Sequence, residues 1–236
     1  MDMAVILGSA GGILEYTKMM MPQMMEGLKV TLEVFVLTLV LAIPLGVIVA
    51  LCRLSKIKVL SKIMEFYILV MRGTPLLLQI IFIFFGLPIL QLTIGDVVIG
   101  PIKIDRMPSA ILAFTLNYGA YFAEIFRAGI GSIDEGQYEG AEVLGLTKID
   151  TFFRIVMPQA FKRVLPPVAN EVITLVKDTA LVYAVGFDDL LKIGKTATNR
   201  DASLMPLVLV AVIYLLLILI LSKILAYVEK RFDYYK

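Results

Sequence analysis

Five apolar stretches divide the chain, and polar segments separate them. They cover residues 28–51, 63–87, 109–126, 164–185 and 204–227. A helix that crosses the hydrocarbon core of a bilayer needs about 20 mainly apolar residues, so each stretch is long enough for one crossing. The pattern predicts an all-α integral membrane protein with five spans, whose two termini lie on opposite faces of the membrane.

Residues 1–25 precede the first span and have a different pattern. Their apolar run is short, no basic residue comes before it, and no small-residue cleavage site follows it. These properties argue against a cleaved signal peptide. We predict a surface-lying N-terminal segment over 1–25, with Pro22 at its junction with the first span. No linker or repeat divides the rest, so we predict a single transmembrane domain over 1–236.

Lysine and arginine residues predict the orientation of the spans. Thirteen of them fall in the segments 53–62, 127–163 and 223–236, whereas seven fall on the opposite side. Cytoplasmic loops of membrane proteins carry the excess of basic residues. We therefore predict that the C-terminus is cytoplasmic and that the N-terminus lies outside.

The composition agrees with a membrane protein and excludes several kinds of site. Of the 236 residues, 59% are hydrophobic and 18% are charged, a balance too apolar for a soluble domain of this length. The chain has no histidine, and Cys52 is its single cysteine. Imidazole catalysis, histidine metal sites and an intramolecular disulfide are therefore excluded. We predict no metal site, no cofactor bound by this chain, no nucleic acid partner and no catalytic residue.

The longest polar segment, residues 132–166, has the pattern of two short helices joined at a glycine. We predict a first helix over 137–144, an elbow at Gly145 and Leu146, and a second helix from the N-cap Thr147 through Met157. In the second helix, one apolar face is expected from 3/4 spacing, formed by Ile149, Phe152, Phe153 and Val156. The pattern alone fits both a docking elbow for a partner protein and an ordinary interhelical loop.

The same segment carries a family signature. Glu139, Ala141, Gly145, Ile155 and Pro158 have the spacing of the EAA motif of ABC importer permeases, although Gly140 and Met157 depart from it. The runs AYFAEIFRAGI from residue 120 and GQYEGAEVLGL from residue 136 resemble the polar-amino-acid branch of that family. The resemblance implies a type I ABC importer permease fold in which 132–158 is the coupling loop that docks into a cytoplasmic ATPase. The implied ATPase-coupling residues are Glu139, Ala141, Leu144, Gly145, Ile155 and Pro158.

Two polar interruptions within spans two and four predict a substrate site. Arg72-Gly73-Thr74-Pro75 should break the second span, and transporters build binding sites at broken helices. Span four carries a polar stripe that includes Asp178. The predicted substrate-binding residues are Arg72, Gly73, Thr74, Gln79, Asn170, Glu171, Thr174 and Lys177. An opposed Arg72 and Glu171 would match both charges of an amino acid zwitterion, and the alternative is a closed internal salt-bridge network.

These two stretches also resemble the family. YILVMRGTPLLLQ from residue 67 and NEVITLVKDTAL from residue 170 are similar to segments of the polar-amino-acid branch, with Ala180 in place of the usual serine. The resemblance implies that Arg72, Thr74, Asn170 and Glu171 line the pore of a permease dimer.

The resemblance implies a set of partners and a localisation. They are a cytoplasmic ABC ATPase dimer that carries ATP and Mg²⁺, a second homologous permease chain, an extracytoplasmic amino-acid-binding protein, the amino acid and the bilayer of a prokaryotic cell membrane. Gly194-Lys195-Thr196 is not a nucleotide site, because Asp189 stands where a phosphate loop needs glycine. Asp188 and Asp189 are predicted either to face the binding protein or to form a solvated turn. The alternative functions are an ion-coupled secondary carrier or channel for small polar solutes, and a membrane scaffold or receptor.

Overall fold

A computed structural model of the chain describes residues 10–94 and 97–232. Helices make up most of this part of the chain, and they are numbered here in chain order. The helices are α1 (Ala10–Arg53), α2 (Lys58–Gly73), α3 (Leu76–Ile81), α4 (Arg106–Gly131), α5 (Glu135–Val143), α6 (Lys148–Thr151), α7 (Met157–Asp178), α8 (Leu190–Asp201) and α9 (Met205–Arg231). Turns of π-helix follow α3 at Phe82–Gly86 and α6 at Phe152–Val156, and a 3₁₀ segment, Thr179–Val185, follows α7.

All five apolar stretches are helical over most of their length, but not all of them are long and apolar enough to cross a bilayer. Gly11–Arg53 and Met205–Arg231 are long and apolar enough to cross a bilayer. The broken pair Lys58–Gly73 and Leu76–Gly86 adds a third if it is counted as one span. α4 and α7 carry more polar residues, and neither meets this requirement of length and apolar composition. The five spans and their orientation therefore stay predictions.

The first helix is longer than the sequence predicts. α1 continues through Pro22 without a break, although a junction is expected there. Met20 and Met24 on either side of the proline are fully buried against Leu190 and Val210. Tertiary packing thus holds a helix through a position that lacks one backbone donor.

A short hairpin departs from the all-helical prediction. β1 (Leu92–Ile94) pairs antiparallel with β2 (Val97–Ile99), and Leu92 lies opposite Ile99. The predicted spans 63–87 and 109–126 leave residues 88–108 as an external loop. Both strands are rich in β-branched residues, which a search for membrane-length apolar runs does not detect.

The residues group into two compact units, each built from three separate segments. The first comprises the described residues of 1–38, 76–114 and 174–220. Its core contains Tyr16, Met20 and Met24 of α1 with Leu190 and Ala197 of α8.

The second unit comprises the described residues of 39–75, 115–173 and 221–236. Its main core joins Val49 and Ala50 of α1, Ile68 of α2, and Ala120 and Ala123 of α4. Small residues let these helices approach closely: a Cβ atom added at Gly46 would lie 2.6 Å from Cβ of Phe122. The prediction of a single domain stays a prediction.

Candidate functional site

The predicted break in the second span is present at the expected residues. α2 ends at Gly73, Thr74 has an extended backbone (φ −117°, ψ 144°), and α3 begins at Leu76. The sequence explains the break, since proline disfavours helix at the residue before it and cannot donate a backbone hydrogen bond.

Side chains satisfy the backbone carbonyls that the end of α2 leaves without helical partners. Thr74 Oγ1 donates to the carbonyl oxygen of Val70 at 2.8 Å. The amide Nδ2 of Asn117, in α4, donates to the carbonyl oxygen of Met71 at 2.8 Å. The last carbonyls of a helix need such partners when no further turn follows, so Thr74 and Asn117 fix the conformation of the broken end.

Arg72 lies at this end of α2 and contacts an aromatic side chain of α4. Its guanidinium carbon is 5.0 Å from the centre of the Tyr121 ring, within the range of a cation–π interaction. Asn117 and Tyr121 are one helical turn apart, so one face of α4 supports both Arg72 and the carbonyl before it. Neither residue is among the sequence predictions. The available signal was a polar and aromatic pair at helical spacing within the apolar stretch 109–126.

The predicted substrate residues beyond the break lie on two helices, α3 and α7. Asn170 is exposed and Glu171 is half-buried, both on α7 and in the same unit as Arg72 and Thr74. Gln79 on α3 and Thr174 on α7 are half-buried, whereas Lys177 is exposed in the last turn of α7. The opposition of Arg72 and Glu171, and the grouping of all eight residues into one site, stay predictions.

The predicted elbow is present, and hydrogen bonds define it at the C-terminal end of α5. Gly145 has a φ of +72°, in the left-handed region that favours glycine. The amide of Leu146 donates to the carbonyl oxygen of Ala141 at 3.0 Å, and that of Gly145 donates to Glu142 at 2.9 Å. This pair of bonds is the Schellman motif. Ala141 is fully buried, which explains why a small residue occupies this position.

N-caps fix the starts of both helices that meet at the elbow. Asp134 Oδ1 accepts a hydrogen bond from the Gly136 amide at 2.7 Å at the start of α5. Thr147 Oγ1 accepts from the Asp150 amide at 3.1 Å and donates to Oδ2 of Asp150 at 2.6 Å at the start of α6. A cap of this kind contributes about 1 kcal/mol, so the caps stabilise the conformation of the elbow.

The second helix of the elbow differs from the prediction in two ways. It does not end at Met157, because the π turn leads directly into α7. The four apolar residues also do not form one face. Phe152 and Val156 pack in a buried cluster with Ile133 and Ala160, whereas Ile149 and Phe153 are exposed. The wider π turn changes the helical register on which the prediction rests.

The tip of the elbow carries a set of exposed apolar side chains, which we call the elbow surface. Their exposed fractions are 88% for Val143, 77% for Leu144, 72% for Ile149 and 56% for Phe153. Large apolar side chains grouped in this way mark interaction sites on a protein surface. Of the remaining predicted coupling residues, Glu139 and Pro158 are exposed and Ile155 is half-buried.

Side-chain hydrogen bonds join the elbow to α7. Gln159 Nε2, in α7, donates to Oε1 of Gln137 in α5 at 3.0 Å. The Arg163 guanidinium donates to the carbonyl oxygen of Ser132 and, at 3.0 Å, to its hydroxyl. α5 and the turn before it are therefore held to the helix that carries Asn170 and Glu171.

One of the two aspartates predicted either to face a binding protein or to form a solvated turn does neither. Asp189 is fully buried as the N-cap of α8, where its carboxylate accepts hydrogen bonds from the Leu191 and Lys192 amides at 3.0 and 3.2 Å. Burial raises the pKa of the Asp189 carboxyl to about 6. Asp188 is exposed and pairs with Lys192 at 2.8 Å. The prediction was therefore wrong for Asp189.

At the other end of α8, a carboxylate joins that helix to α1. The Tyr16 hydroxyl donates to Oδ2 of Asp201 at 2.5 Å, and the Arg200 guanidinium donates to both carboxylate oxygens. The hydrogen bond from Arg200 lowers the pKa of the Asp201 carboxyl to about 2. Among the described residues, no group of three or more acidic or cysteine side chains is placed to hold a metal ion.

Comparison with known proteins gives matches over most of the chain. Residues 42–234 match the family described as binding-protein-dependent transport system inner membrane component. The chain is 38% identical to the arginine transport system permease protein ArtQ of Bacillus subtilis (strain 168), over 89% of this chain and 92% of that protein. It is 35% identical to the L-cystine transport system permease protein TcyB of the same organism, over 91% and 88%.

Solved structures give the same result for the fold. A chain of an amino acid ABC transporter, crystallised with histidines, superposes with a TM-score of 0.83 at 33% identity, over 93% of this chain and 98% of that one. A chain of the MetNI methionine ABC transporter in an inward-facing conformation has a TM-score of 0.70 at 18% identity, over 91% and 98%. The second match supports the fold alone.

Proposed function

The chain belongs to the family of binding-protein-dependent transport system inner membrane components, and from this premise we propose that it is the permease subunit of an amino acid ABC importer. The observation that carries the proposal is the capped elbow with its exposed apolar tip, at the position of the family signature. In this proposal the subunit moves polar or charged amino acids inward across a prokaryotic cell membrane. It has five spans, an external N-terminus and a cytoplasmic C-terminus.

The elbow surface is the docking site for a cytoplasmic ATPase subunit. Val143, Leu144, Ile149 and Phe153 are largely exposed, and burying one such side chain stabilises a complex by about 1.5–3 kcal/mol. The caps and the Schellman motif hold these side chains in place before binding, which lowers the entropic cost of association. The ATPase dimer binds ATP and Mg²⁺, and this chain binds neither.

Movement of the elbow reaches the substrate site through α7. Gln159 joins α7 to α5, Arg163 joins α7 to Ser132 in the turn before α5, and α7 is one helix from Met157 to Asp178. Asn170 and Glu171 lie about 20 Å along it from Met157, at 1.5 Å per residue. When ATP closes the ATPase dimer, the displaced elbow shifts α7 and the polar side chains that it carries. Substrate and ATP must each bind the two conformations unequally for this motion to be coupled.

The substrate site contains Arg72, Thr74, Asn170 and Glu171. Arg72 offers a positive charge for the substrate carboxylate, with Tyr121 and the Asn117 amide supporting its position. Glu171 offers a negative charge for the substrate amino group. Both charges of a zwitterion then have partners, which an apolar span could not supply. A second permease chain, identical or homologous, completes the pore, and an extracytoplasmic binding protein delivers the amino acid.

ATP hydrolysis in liposomes tests the proposal. The permease is co-expressed with the ATPase and the binding protein encoded next to it, and hydrolysis is measured across a panel of amino acids. We expect one or a few polar or charged amino acids to stimulate it. An assembled complex that no amino acid stimulates would contradict the substrate class. If no ATPase assembled with the chain, the importer proposal itself would be wrong.

A further inference from the structure

A pocket that the transport mechanism does not use lies between the start of α7 and the end of α9. Its volume is about 380 Å³. It is lined by Lys162, Leu165, Pro166, Ala226, Glu229 and Lys230. The lining thus combines two lysines and one glutamate with an apolar wall, and this net positive charge beside apolar groups suits an amphipathic anion.

The position of the pocket along the sequence places it at the edge of the membrane. Lys162 lies two residues before the start of the predicted span 164–185, and Lys230 lies three residues after the end of the predicted span 204–227. Both span ends are predicted to be cytoplasmic from the distribution of basic residues. The two lysines therefore lie at the depth of the lipid headgroups of the inner leaflet, where long basic side chains are favoured.

Exposed apolar side chains flank the lysines on both helices. The exposed fractions are 46% for Phe161, 54% for Ile224 and 67% for Tyr227. Aromatic residues such as Tyr227 are typical of the boundary between headgroups and hydrocarbon. Phe161 also contacts the ring of Phe232 at 5.1 Å between centroids, so α7 and the segment after α9 are packed together beside the pocket.

We propose that this pocket binds the headgroup of an anionic phospholipid, of the phosphatidylglycerol class, in the cytoplasmic leaflet. Lys162 and Lys230 attract the phosphate, and the exposed apolar side chains contact the acyl chains. Glu229 adds a hydrogen-bond acceptor to the lining, which favours a headgroup with hydroxyl groups. The inference rests on the span ends and orientation given under the proposed function. Because α7 also carries Asn170 and Glu171, a bound lipid would brace the helix that transmits the motion.

The test measures lipid binding to the purified full-length chain in neutral detergent by native mass spectrometry. Phosphatidylglycerol, phosphatidylcholine and inorganic phosphate are titrated separately. The double variant Lys162→Gln/Lys230→Gln removes the two pocket charges. The matched control Lys56→Gln/Lys58→Gln removes two exposed lysines from the segment 53–62 on the same predicted face. A second variant, Lys162→Arg/Lys230→Arg, keeps both positive charges and shows whether a pocket with an altered lining still binds phosphatidylglycerol.

We expect phosphatidylglycerol to bind the unaltered chain, the control and the arginine variant with similar affinity. The glutamine pocket variant should bind about 30-fold more weakly, because each lysine near an anionic surface contributes about fivefold. Equal losses in the pocket variant and the control would overturn the proposal, since general surface charge would then explain the binding. Equal binding of phosphatidylcholine, or binding of inorganic phosphate as tight as that of the lipid, would overturn it too. Failure of the transport proposal would appear separately, as the absence of ATPase assembly.

Discussion

Leu144→Ala is the substitution that tests the elbow surface most sharply. Leu144 is 77% exposed in the chain alone, and its backbone closes α5 beside Gly145. Removing most of an exposed side chain should change the free energy of unfolding by less than about 0.5 kcal/mol. If the ATPase buries this leucine, however, its truncation costs about 2 kcal/mol of binding free energy. That cost corresponds to an affinity for the ATPase about 30-fold weaker.

The assay is a titration of fluorescently labelled ATPase subunit against the permease in nanodiscs, followed by uptake measurements on the same preparations. The matched control is Leu204→Ala. Leu204 is 72% exposed but lies at the predicted external end of the last span. We expect the control to bind the ATPase and transport as the unaltered chain does. ATPase affinity within twofold of normal in Leu144→Ala, or an equal loss in the control, would refute the docking surface.

Three further predictions concern the elbow, the substrate site and the buried carboxyl. Gly145→Asp should insert into the membrane normally, because an added Cβ meets no atom within 4 Å. It should lose coupled uptake, because the positive φ and a charge beside the elbow surface disfavour docking. Normal uptake would contradict this. Glu171→Ala should abolish or redirect amino acid selectivity in a competition uptake assay, and unchanged transport and preference would remove Glu171 from the site. Asp189→Asn should keep the cap of α8 and flatten the pH dependence of thermal unfolding. Because folding raises the pKa of this carboxyl from 3.8 to about 6, its contribution to the folded state is complete below the unfolded pKa and is lost as the pH rises through the folded pKa. An unchanged pH profile would contradict this account.

The elbow was predictable because local rules determine it. A capping threonine, a glycine at the end of the first helix and the spacing between them all fall within a few residues, and the structure has Gly145 at positive φ and Thr147 as the N-cap. The resemblance to ABC importer permeases depended on the same residues. The family match over 42–234 confirms it.

Other features depend on contacts between distant segments and could not be predicted. The support of Arg72 by Tyr121 requires knowing which face of α4 meets α2. The burial of Asp189 depends on packing of α8 that local sequence does not encode. Of the four apolar residues in 149–156, two pack in a buried cluster and two are exposed, because a π turn changes the helical register. Their 3/4 spacing does not predict a π turn. Pro22 is tolerated because the methionines around it are buried.

Uptake of a radiolabelled amino acid into proteoliposomes tests the central claim most directly. The complex of permease, ATPase and binding protein is reconstituted, and uptake is compared with ATP, with ADP and with an imposed ion gradient. Our account predicts uptake with ATP alone, and none with ADP or with the gradient. Uptake that follows the ion gradient and ignores ATP would contradict it and identify a secondary carrier instead.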